Sequence, residues 1–206
     1  MNIAVFGAKG RIGRHVVDIA QKRGHSVWEI DKNISENELE RVDAAISFAS
    51  AEGTRDVVEF CKARRCPLVF GTTGLNCEQQ SLLDGLAQEV KVVKKANFAV
   101  GIHMLYRLCD AVSRELDWDC VIVETHRKGK KDAPSGTAKE LATVIAKNLG
   151  SFNGVETHAL RLGSNFGRHE VTFATGGESL TLIHQAENAD IFALGAVKEA
   201  ETLGEL

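Results

Sequence analysis

The strongest constraint on the fold is a glycine-rich turn between an apolar run and an amphipathic segment near the start of the chain. The run at residues 3–6 predicts a buried strand, and Gly7, Gly10 and Gly13 follow it. Apolar residues then recur at helical spacing up to Gly24. Glycine here lets the chain turn sharply and lets backbone N–H groups approach a pyrophosphate at a helix N-terminus. The turn predicts dinucleotide binding, and a purely structural glycine turn is the alternative.

The next segments alternate between strand-like and helix-like patterns, which is typical of a parallel sheet covered by helices. Short apolar runs predict strands at residues 27–30, 44–48, 68–70 and 90–93, with helices between them. Ser35 and Glu38 have the spacing of a capping box, which predicts a short helix after the second strand.

The pattern changes after Asn97. The sequence there first predicts a long helix, a strand at residues 120–124 and a helix at 137–150. It then predicts strand-like segments at 155–162, 170–174 and 179–186 and a helix at 191–203. Consecutive strands without helices between them predict an antiparallel or mixed sheet. The predicted fold class is therefore α/β: a Rossmann-like parallel sheet domain followed by a smaller α+β domain with a mixed sheet.

Composition restricts the class of partner. The formal net charge of -3 argues against a dedicated nucleic-acid or anionic-membrane binder. Apolar stretches are far shorter than the ~20 residues of a membrane-spanning helix. The 5 cysteines are odd in number and lack C-x-x-C spacing, which argues against a disulfide scaffold, and the dispersed histidines argue against a metal site. We expect a cytoplasmic protein that binds no nucleic acid, membrane or metal.

Two residues after the second predicted strand bear on the type of cofactor. Asp31 lies near the offset of about 20 residues at which an acid accepts hydrogen bonds from the adenosine ribose, which favours NAD. Lys32 can pair with a 2′-phosphate, which favours NADP, although a solvated surface lysine is an equal alternative. Arg11 can contact either the pyrophosphate or that phosphate. The sequence predicts NADH or NADPH and leaves the choice open.

A second glycine-containing turn, Gly71-Thr72-Thr73-Gly74, follows the fourth predicted strand. Ligands of open α/β sheets bind outside the carboxyl ends of the strands. Its two hydroxyls and flexible glycines predict contact with the nicotinamide or the substrate. An ordinary strand-to-helix turn is an equal alternative.

The densest chemistry lies at residues 124–138. Five side chains that are cationic or can become so crowd into one loop: His126, Arg127, Lys128, Lys130 and Lys131. The loop leads into a predicted helix start at residues 135–137, where N–H groups and hydroxyls suit a carboxylate or phosphate. A histidine alongside can donate a proton near neutral pH. The loop predicts a receptor for a small dianion; a solvated loop and an RNA contact are the alternatives.

The string from Glu124 to Ala138, E-x-H-x-x-x-K-x-D-A-P-S-G-T-A, resembles the motif of the 4-hydroxy-tetrahydrodipicolinate reductases, diaminopimelate-pathway enzymes formerly called dihydrodipicolinate reductases. Other motifs agree in order: the first glycine turn, residues 71–74, residues 96–101, Leu160-Arg161-x-Gly163, and Phe192-Ala193-x-Gly195-Ala196. The resemblance covers nearly the whole chain.

The resemblance implies reduction of a cyclic dicarboxylate with NADH or NADPH, with His126 as the proton donor and Lys130 as the charge stabiliser. The implied substrate-binding residues are Thr73, Arg127, Lys130, Ser135, Gly136 and Thr137. The implied cofactor-binding residues are Gly7, Lys9, Gly10, Arg11, Ile12, Gly13, Asp31, Lys32, Phe48, Gly71, Thr72, Thr73, Asn97 and Phe98.

The resemblance also implies how the chain is divided. Residues 1–98 with 190–206 would bind the dinucleotide, and residues 99–189 would bind the substrate and build a homotetramer. Arg127 stands where many members have a second histidine, and arginine can bind a carboxylate as a bidentate fork. A non-catalytic NAD(H)-sensing Rossmann protein and a related two-domain dehydrogenase are the alternative functions.

Overall fold

The structure is a computed structural model that describes residues 1–30, 41–149 and 154–204. Two compact units make up the chain: Met1–Phe98 with Asp190–Leu206, and Ala99–Ala189. Each unit contains its own sheet. The predicted capping box at Ser35, together with Asp31 and Lys32, lies outside the described residues.

The predicted alternation of strands and helices is present. In chain order the elements are β1 (Asn2–Phe6), α1 (Gly13–Lys22), β2 (Ser26–Ile30), β3 (Ala44–Ser47), α2 (Thr54–Arg64), β4 (Leu68–Phe70), α3 (Cys77–Leu86), β5 (Val92–Lys94), α4 (Val100–Glu115), β6 (Asp119–His126), α5 (Gly136–Leu149), β7 (Glu156–Arg161), β8 (Arg168–Ala174), β9 (Ser179–Gln185) and α6 (Asp190–Gly204). Among the described helices, none is both long and apolar enough to cross a membrane.

The first unit contains a parallel sheet in the order β2-β1-β3-β4-β5. Its inner strands are buried on both faces, as their continuous apolar runs require. Residues of α1 and α6 pack in the apolar cluster on one face, and residues of α2 and α3 pack in the cluster on the other. A Cβ on Gly195 would lie 1.9 Å from the carbonyl oxygen of Phe98, so glycine lets α6 pack closely against the chain after β5. The Rossmann-like prediction is confirmed.

The second unit contains a mixed sheet in the order β7-β6-β8-β9. The β6–β7 pair is parallel, and the β6–β8 and β8–β9 pairs are antiparallel. Ile122, Val171 and Phe173 are fully buried on one face, whereas Leu160 and Ile183 are exposed on the other. Helices α4 and α5 pack on each other and against the sheet. The prediction of a mixed sheet is confirmed.

Candidate active site

The glycine turn of the first unit is built by close backbone approaches. Gly7 follows β1 with φ of 71°, and the N–H of Gly10 donates to its carbonyl oxygen at 2.8 Å. A Cβ on Gly13 would lie only 2.0 Å from the same oxygen. Glycine is therefore required where α1 begins, because any larger residue would force the helix away from the turn.

The N-terminal end of α1 is suited to an anion. Ile12 occupies the cap position, and no side chain of the described residues caps this end. The first N–H groups of a helix have no intrahelical acceptor, and the helix dipole gives this end partial positive charge. Lys9 and Arg11 place two further positive charges on the exposed surface of the turn. These features fit the pyrophosphate of a dinucleotide.

Other predicted cofactor residues gather at the same edge of the sheet, after β3, β4 and β5. A Cβ on Gly71 would lie 2.3 Å from the ring of Phe48, which also packs edge-to-face on Phe98 with 5.8 Å between centroids. Thr72 is buried, and its hydroxyl donates to a backbone carbonyl at 2.9 Å. Thr73 is exposed. Thr72 thus supports the loop, and the neighbouring Thr73 is exposed to solvent.

In the second unit, a buried carboxylate holds the histidine at the end of β6. His126 Nδ1 lies 2.5 Å from Oε2 of Glu124, which is fully buried. The guanidinium of Arg161 donates to both oxygens at 2.9 Å, and the N–H of Ser135 donates to Oε1 at 3.0 Å. Burial alone would raise the pKa of Glu124, but the hydrogen bonds from Arg161, His126 and Ser135 outweigh it and lower the pKa. Glu124 is therefore an ionised carboxylate.

The other ring nitrogen of His126 faces a glycine. Gly167 has φ of 145°, and a Cβ there would lie 3.0 Å from Nε2. Burial lowers the pKa of His126, and the hydrogen bond and charge of Glu124 oppose this only in part. The ring of His169 lies edge-to-face on His126 at 5.2 Å, and burial lowers the pKa of His169 to about 3. His169 is therefore neutral near pH 7, and His126 is the imidazole that can exchange a proton.

The basic loop between β6 and α5 holds a carboxylate of its own. Lys130 Nζ lies 2.8 Å from Oδ1 of Asp132, and the N–H of Gly136 donates to the same carboxylate. Burial would raise the pKa of Asp132, but the hydrogen bond and charge of Lys130 outweigh it and lower the pKa. Lys130 and the first turn of α5 thus converge on one carboxylate.

Two hydroxyls at the start of α5 are engaged inside the unit. Ser135 Oγ accepts the N–H of Ala138 at 3.2 Å, which caps the helix, and lies 3.4 Å from Nε2 of His169. Thr137 hydrogen-bonds to the hydroxyl of Tyr106. The backbone N–H groups of this helix start, rather than these hydroxyls, are therefore the groups suited to an added anion.

Arg127 and Lys130 are joined by a tight turn. The N–H of Lys130 donates to the carbonyl oxygen of Arg127 at 3.1 Å. A Cβ on Gly129 would lie 2.6 Å from Nη1 of Arg127, so the guanidinium folds back over this glycine.

Among the described residues, no group of three or more His, Cys, Asp or Glu side chains could hold a metal ion.

Two family profiles match the sequence. The one described as dihydrodipicolinate reductase, N-terminus, matches residues 1–98, and the one described as dihydrodipicolinate reductase, C-terminus, matches residues 101–205. The chain belongs to the dihydrodipicolinate reductase family.

Named relatives agree with this family. The 4-hydroxy-tetrahydrodipicolinate reductase of Thermosipho africanus is 36% identical over 204 residues, which cover 98% of this chain and 90% of the relative. The enzyme of the same name from Natronomonas pharaonis is 35% identical over 234 residues, covering 100% and 95%. These relatives support the reductase hypothesis rather than the sensor or the other dehydrogenases.

Solved structures show the same fold. A dipicolinate-bound dihydrodipicolinate reductase from Paenisporosarcina sp. TG-14 superposes with a TM-score of 0.79 at 20% identity, covering 100% of this chain and 95% of that one. Aspartate semialdehyde dehydrogenase II from Vibrio cholerae reaches a TM-score of 0.63 at 11% identity, covering 99% and 98%. At such identities the similarity concerns the fold alone.

Within this dihydrodipicolinate reductase fold, the structure groups the predicted residues into two sets. The cofactor set lies around the turn after β1 and the ends of β3 to β5, and includes the half-buried Asn97. The catalytic and substrate set lies between the end of β6 and the start of α5, apart from Thr73. Sequence reasoning assigned no role to Glu124 or Arg161. The available signal was the charged Glu124 directly after the apolar run 120–123, since a buried carboxylate requires a partner.

Proposed function

We propose that this chain is a 4-hydroxy-tetrahydrodipicolinate reductase, which reduces a cyclic dicarboxylate to tetrahydrodipicolinate with NADH or NADPH. Family membership supports the reaction. The observation that carries the site-level proposal is the convergence of Lys130 and the N-terminus of α5 on one carboxylate, in the loop that follows His126.

The turn after β1 would hold the cofactor. Gly7, Gly10 and Gly13 bring backbone amides to the pyrophosphate together with Ile12, and Lys9 and Arg11 supply positive charge. At the neighbouring strand ends, the cofactor-binding residues would be Phe48, Gly71, Thr72, Thr73, Asn97 and Phe98. Asp31 or Lys32 would select between NADH and NADPH at the ribose.

The loop and the start of α5 would hold the substrate. The N–H groups of Gly136 and Thr137, with the ammonium of Lys130, would bind one carboxylate. Lys130 and the N–H of Gly136 now bind that of Asp132 in this way. Arg127 offers a bidentate fork to the second carboxylate. Ser135 contributes by capping the helix that presents these amides, and Thr73 is a further substrate contact.

When bound, the reduced nicotinamide supplies the hydride. In its protonated, imidazolium form His126 holds a proton at Nε2 and donates it to the substrate ring, a contribution of about 10²–10⁴-fold for a positioned acid. Lys130 stabilises the negative charge that develops on the substrate as the ring is reduced. The neutral His169 excludes water beside His126 without competing for its proton.

We also propose a homotetramer built by the second unit. The face of its sheet that carries Leu160 and Ile183 leaves these two side chains 50% and 54% exposed, which suits an interface with other copies. All of the 5 cysteines are free, which suits the reducing cytoplasm in which we place the protein. Light scattering coupled to size exclusion will test the tetramer; a monomer at micromolar concentration contradicts it.

The function is tested by following the absorbance of NADH and of NADPH while dihydrodipicolinate synthase supplies the substrate. We expect oxidation that depends on the synthase product, and the ratio of the two rates measures cofactor preference. Failure to oxidise either nucleotide contradicts the proposed function.

The roles in the loop are tested by Lys130→Ala, with Lys128→Ala as the matched control. Lys130→Ala should lower kcat/KM by about 10²-fold or more because it removes the charge that meets the carboxylate. Lys128 is an exposed lysine of the same loop, and its variant should keep wild-type kinetics. Nucleotide binding, measured by fluorescence, should persist in both. Equal activity of the two variants removes Lys130 from the site.

A further inference from the structure

We propose that Glu124 and Arg161 act as a positioning pair, which fixes the tautomer of His126 and ties the substrate loop to the same carboxylate. The inference rests on the proposed function, because the orientation of His126 affects the reaction only if His126 is the proton donor. Neither residue needs to touch the substrate or the cofactor for this role.

The tautomer follows from counting donors around Glu124. Its two oxygens accept hydrogen bonds from Nη1 and Nη2 of Arg161 at 2.9 Å each and from the N–H of Ser135 at 3.0 Å. Oε2 also lies 2.5 Å from Nδ1 of His126. An ionised carboxylate has only acceptor sites, about four in number. The nitrogen of His126 that faces it must therefore carry the hydrogen. Arg161 and Ser135 keep the carboxylate from turning away.

With Nδ1 fixed as a donor, Nε2 is the atom that takes up and releases the proton. Nε2 faces Gly167, where a Cβ would lie 3.0 Å away. The glycine keeps space open at this nitrogen, whereas Nδ1 is enclosed by Glu124. The imidazole of His126 therefore has free space at Nε2, the nitrogen that would donate the proton.

The same pair ties down the loop that would bind the substrate. Arg161 Nη2 donates to the carbonyl oxygen of Asp132 at 2.6 Å, and Glu124 accepts the N–H of Ser135. One ion pair thus holds both ends of the segment 132–135 that precedes the carboxylate-binding turn of α5. A change in Glu124 is transmitted to the proton donor and to the turn together.

The charged and titratable groups around His126 lie on four segments. Glu124 lies on β6, Arg161 on β7 and the neutral His169 on β8, and Lys130 lies in the loop between β6 and α5. Glu124 raises the pKa of His126, whereas Lys130 and Arg161 lower it. Replacing Glu124 by glutamine leaves only groups that lower this pKa. The high-pH limb of the kcat profile should therefore move to lower pH.

The first measurement is the ¹⁵N spectrum of histidine-labelled protein, with His126→Asn used to assign the signals. In the wild type we expect neutral His126 to be protonated on Nδ1 and unprotonated on Nε2. In Glu124→Gln the amide can donate as well as accept, so the Nε2–H tautomer should become populated. A purely structural role for Glu124 would not change the tautomer in a folded variant.

The second measurement is the pH dependence of kcat and KM. Glu124→Gln should lower kcat by about 10- to 100-fold, part of the full contribution of a positioned acid, and shift the limb to lower pH. Glu156→Gln is the matched control, because Glu156 lies 2.7 Å from His158 in an exposed pair on β7. It should leave kcat and the limb unchanged.

Glutamine at position 124 leaves the guanidinium of Arg161 without its carboxylate, and the single variant can fail to fold. The double variant Glu124→Gln/Arg161→Met removes both charges and should keep the lowered kcat and the mixed tautomer. Wild-type kcat, or a pure Nδ1–H tautomer, in any folded Glu124→Gln variant overturns the inference. A wild-type protein that oxidises neither nucleotide overturns the proposed function instead, and the spectrum still reports the tautomer.

Discussion

The tripeptide Glu-Thr-His occurs twice on neighbouring strands, at residues 124–126 of β6 and 156–158 of β7. Both copies place a carboxylate oxygen against a ring nitrogen, at 2.5 Å in the first and 2.7 Å in the second. The side chains of Glu124 and His126 are 0% and 12% exposed, whereas those of Glu156 and His158 are 70% and 55% exposed. The same local sequence thus forms a Glu–His contact in opposite surroundings, through Nδ1 of His126 and through Nε2 of His158.

The register of the parallel pair explains the difference. Val121 of β6 is the partner of Glu156, and Val123 is the partner of His158. Because side chains alternate between the faces of a strand, Glu156 and His158 lie on the face opposite to Glu124 and His126. An exposed ion pair contributes little, whereas a buried one requires full compensation. Arg161 supplies that compensation only to the copy on β6.

The largest expected contrast is in catalysis. His126→Asn should lower kcat by about 10²–10⁴-fold, because asparagine cannot donate the proton. His158→Asn, the same change in the exposed copy, should leave kcat as in the wild type. Steady-state kinetics of both variants at saturating nucleotide measure the contrast. If the two variants behave alike, burial of the tripeptide does not determine its role.

A second contrast concerns stability and pH. The folded-state pKa of His169 is about 3, far below the ordinary value of 6.5. Between these values the unfolded chain binds a proton that the folded chain does not, so stability falls as the pH falls. The loss should reach roughly 2 kcal/mol between pH 6.5 and pH 5.

The measurement is the Tm as a function of pH. His169→Gln should flatten the decline below pH 6.5, whereas His158→Gln should leave it as steep as in the wild type. The exposed histidine thus serves as the control for the buried one. A wild-type Tm that is constant from pH 7 to pH 5 contradicts the prediction.

A smaller effect is expected at the glycine beside His126. Gly167→Ala should cost about 1–3 kcal/mol of stability through its positive φ and should also lower kcat, because the added Cβ approaches Nε2. Gly163→Ala has a positive φ as well, but no atom within 4 Å of the added Cβ. Urea denaturation should show a loss in both variants, and kinetics a defect only at position 167. Loss of activity in both would assign the defect to the backbone.

The smallest effect is expected at two helix caps. Ser135→Ala and Asn76→Ala each remove a side chain that accepts a backbone N–H, at the start of α5 and of α3, and each should cost about 1 kcal/mol. Only Ser135→Ala should also raise KM, because the capped turn of α5 presents the amides that bind the carboxylate. A change in KM for Asn76→Ala, with the same loss of stability as in Ser135→Ala, would contradict this assignment.

The sequence predicted the parts of the fold that depend on local pattern. The spacing of Gly7, Gly10 and Gly13 predicted the turn and helix after β1, and apolar runs predicted the remaining strands. The parallel pairing of β6 with β7 was beyond such reasoning, since strand partners are chosen by packing across the sheet. Asp31 and Lys32 stay predictions, because the structure does not describe them.

The sequence predicts a candidate site in the loop between β6 and α5, but it does not indicate the two residues that support His126. His126, Lys130 and the start of α5 are close in sequence, so one motif predicted them together. Arg161 meets Glu124 across a separation of 37 residues, which no local pattern reports. Ser135 stays a predicted substrate contact, and in the structure its hydroxyl caps α5 and lies near the buried His169.

The carboxylate of Asp132 has a consequence for which anions this loop admits. On the proposed function, an incoming carboxylate must displace Asp132 from Lys130 and from the first turn of α5, so binding exchanges one partner for another. Asp132 is tethered and competes at a high effective concentration, against which a small monovalent anion gains little. A ligand with a second carboxylate for Arg127 gains an additional contact from the exchange. We therefore expect a dicarboxylate to displace Asp132 from the loop, and we expect acetate or chloride to leave it in place.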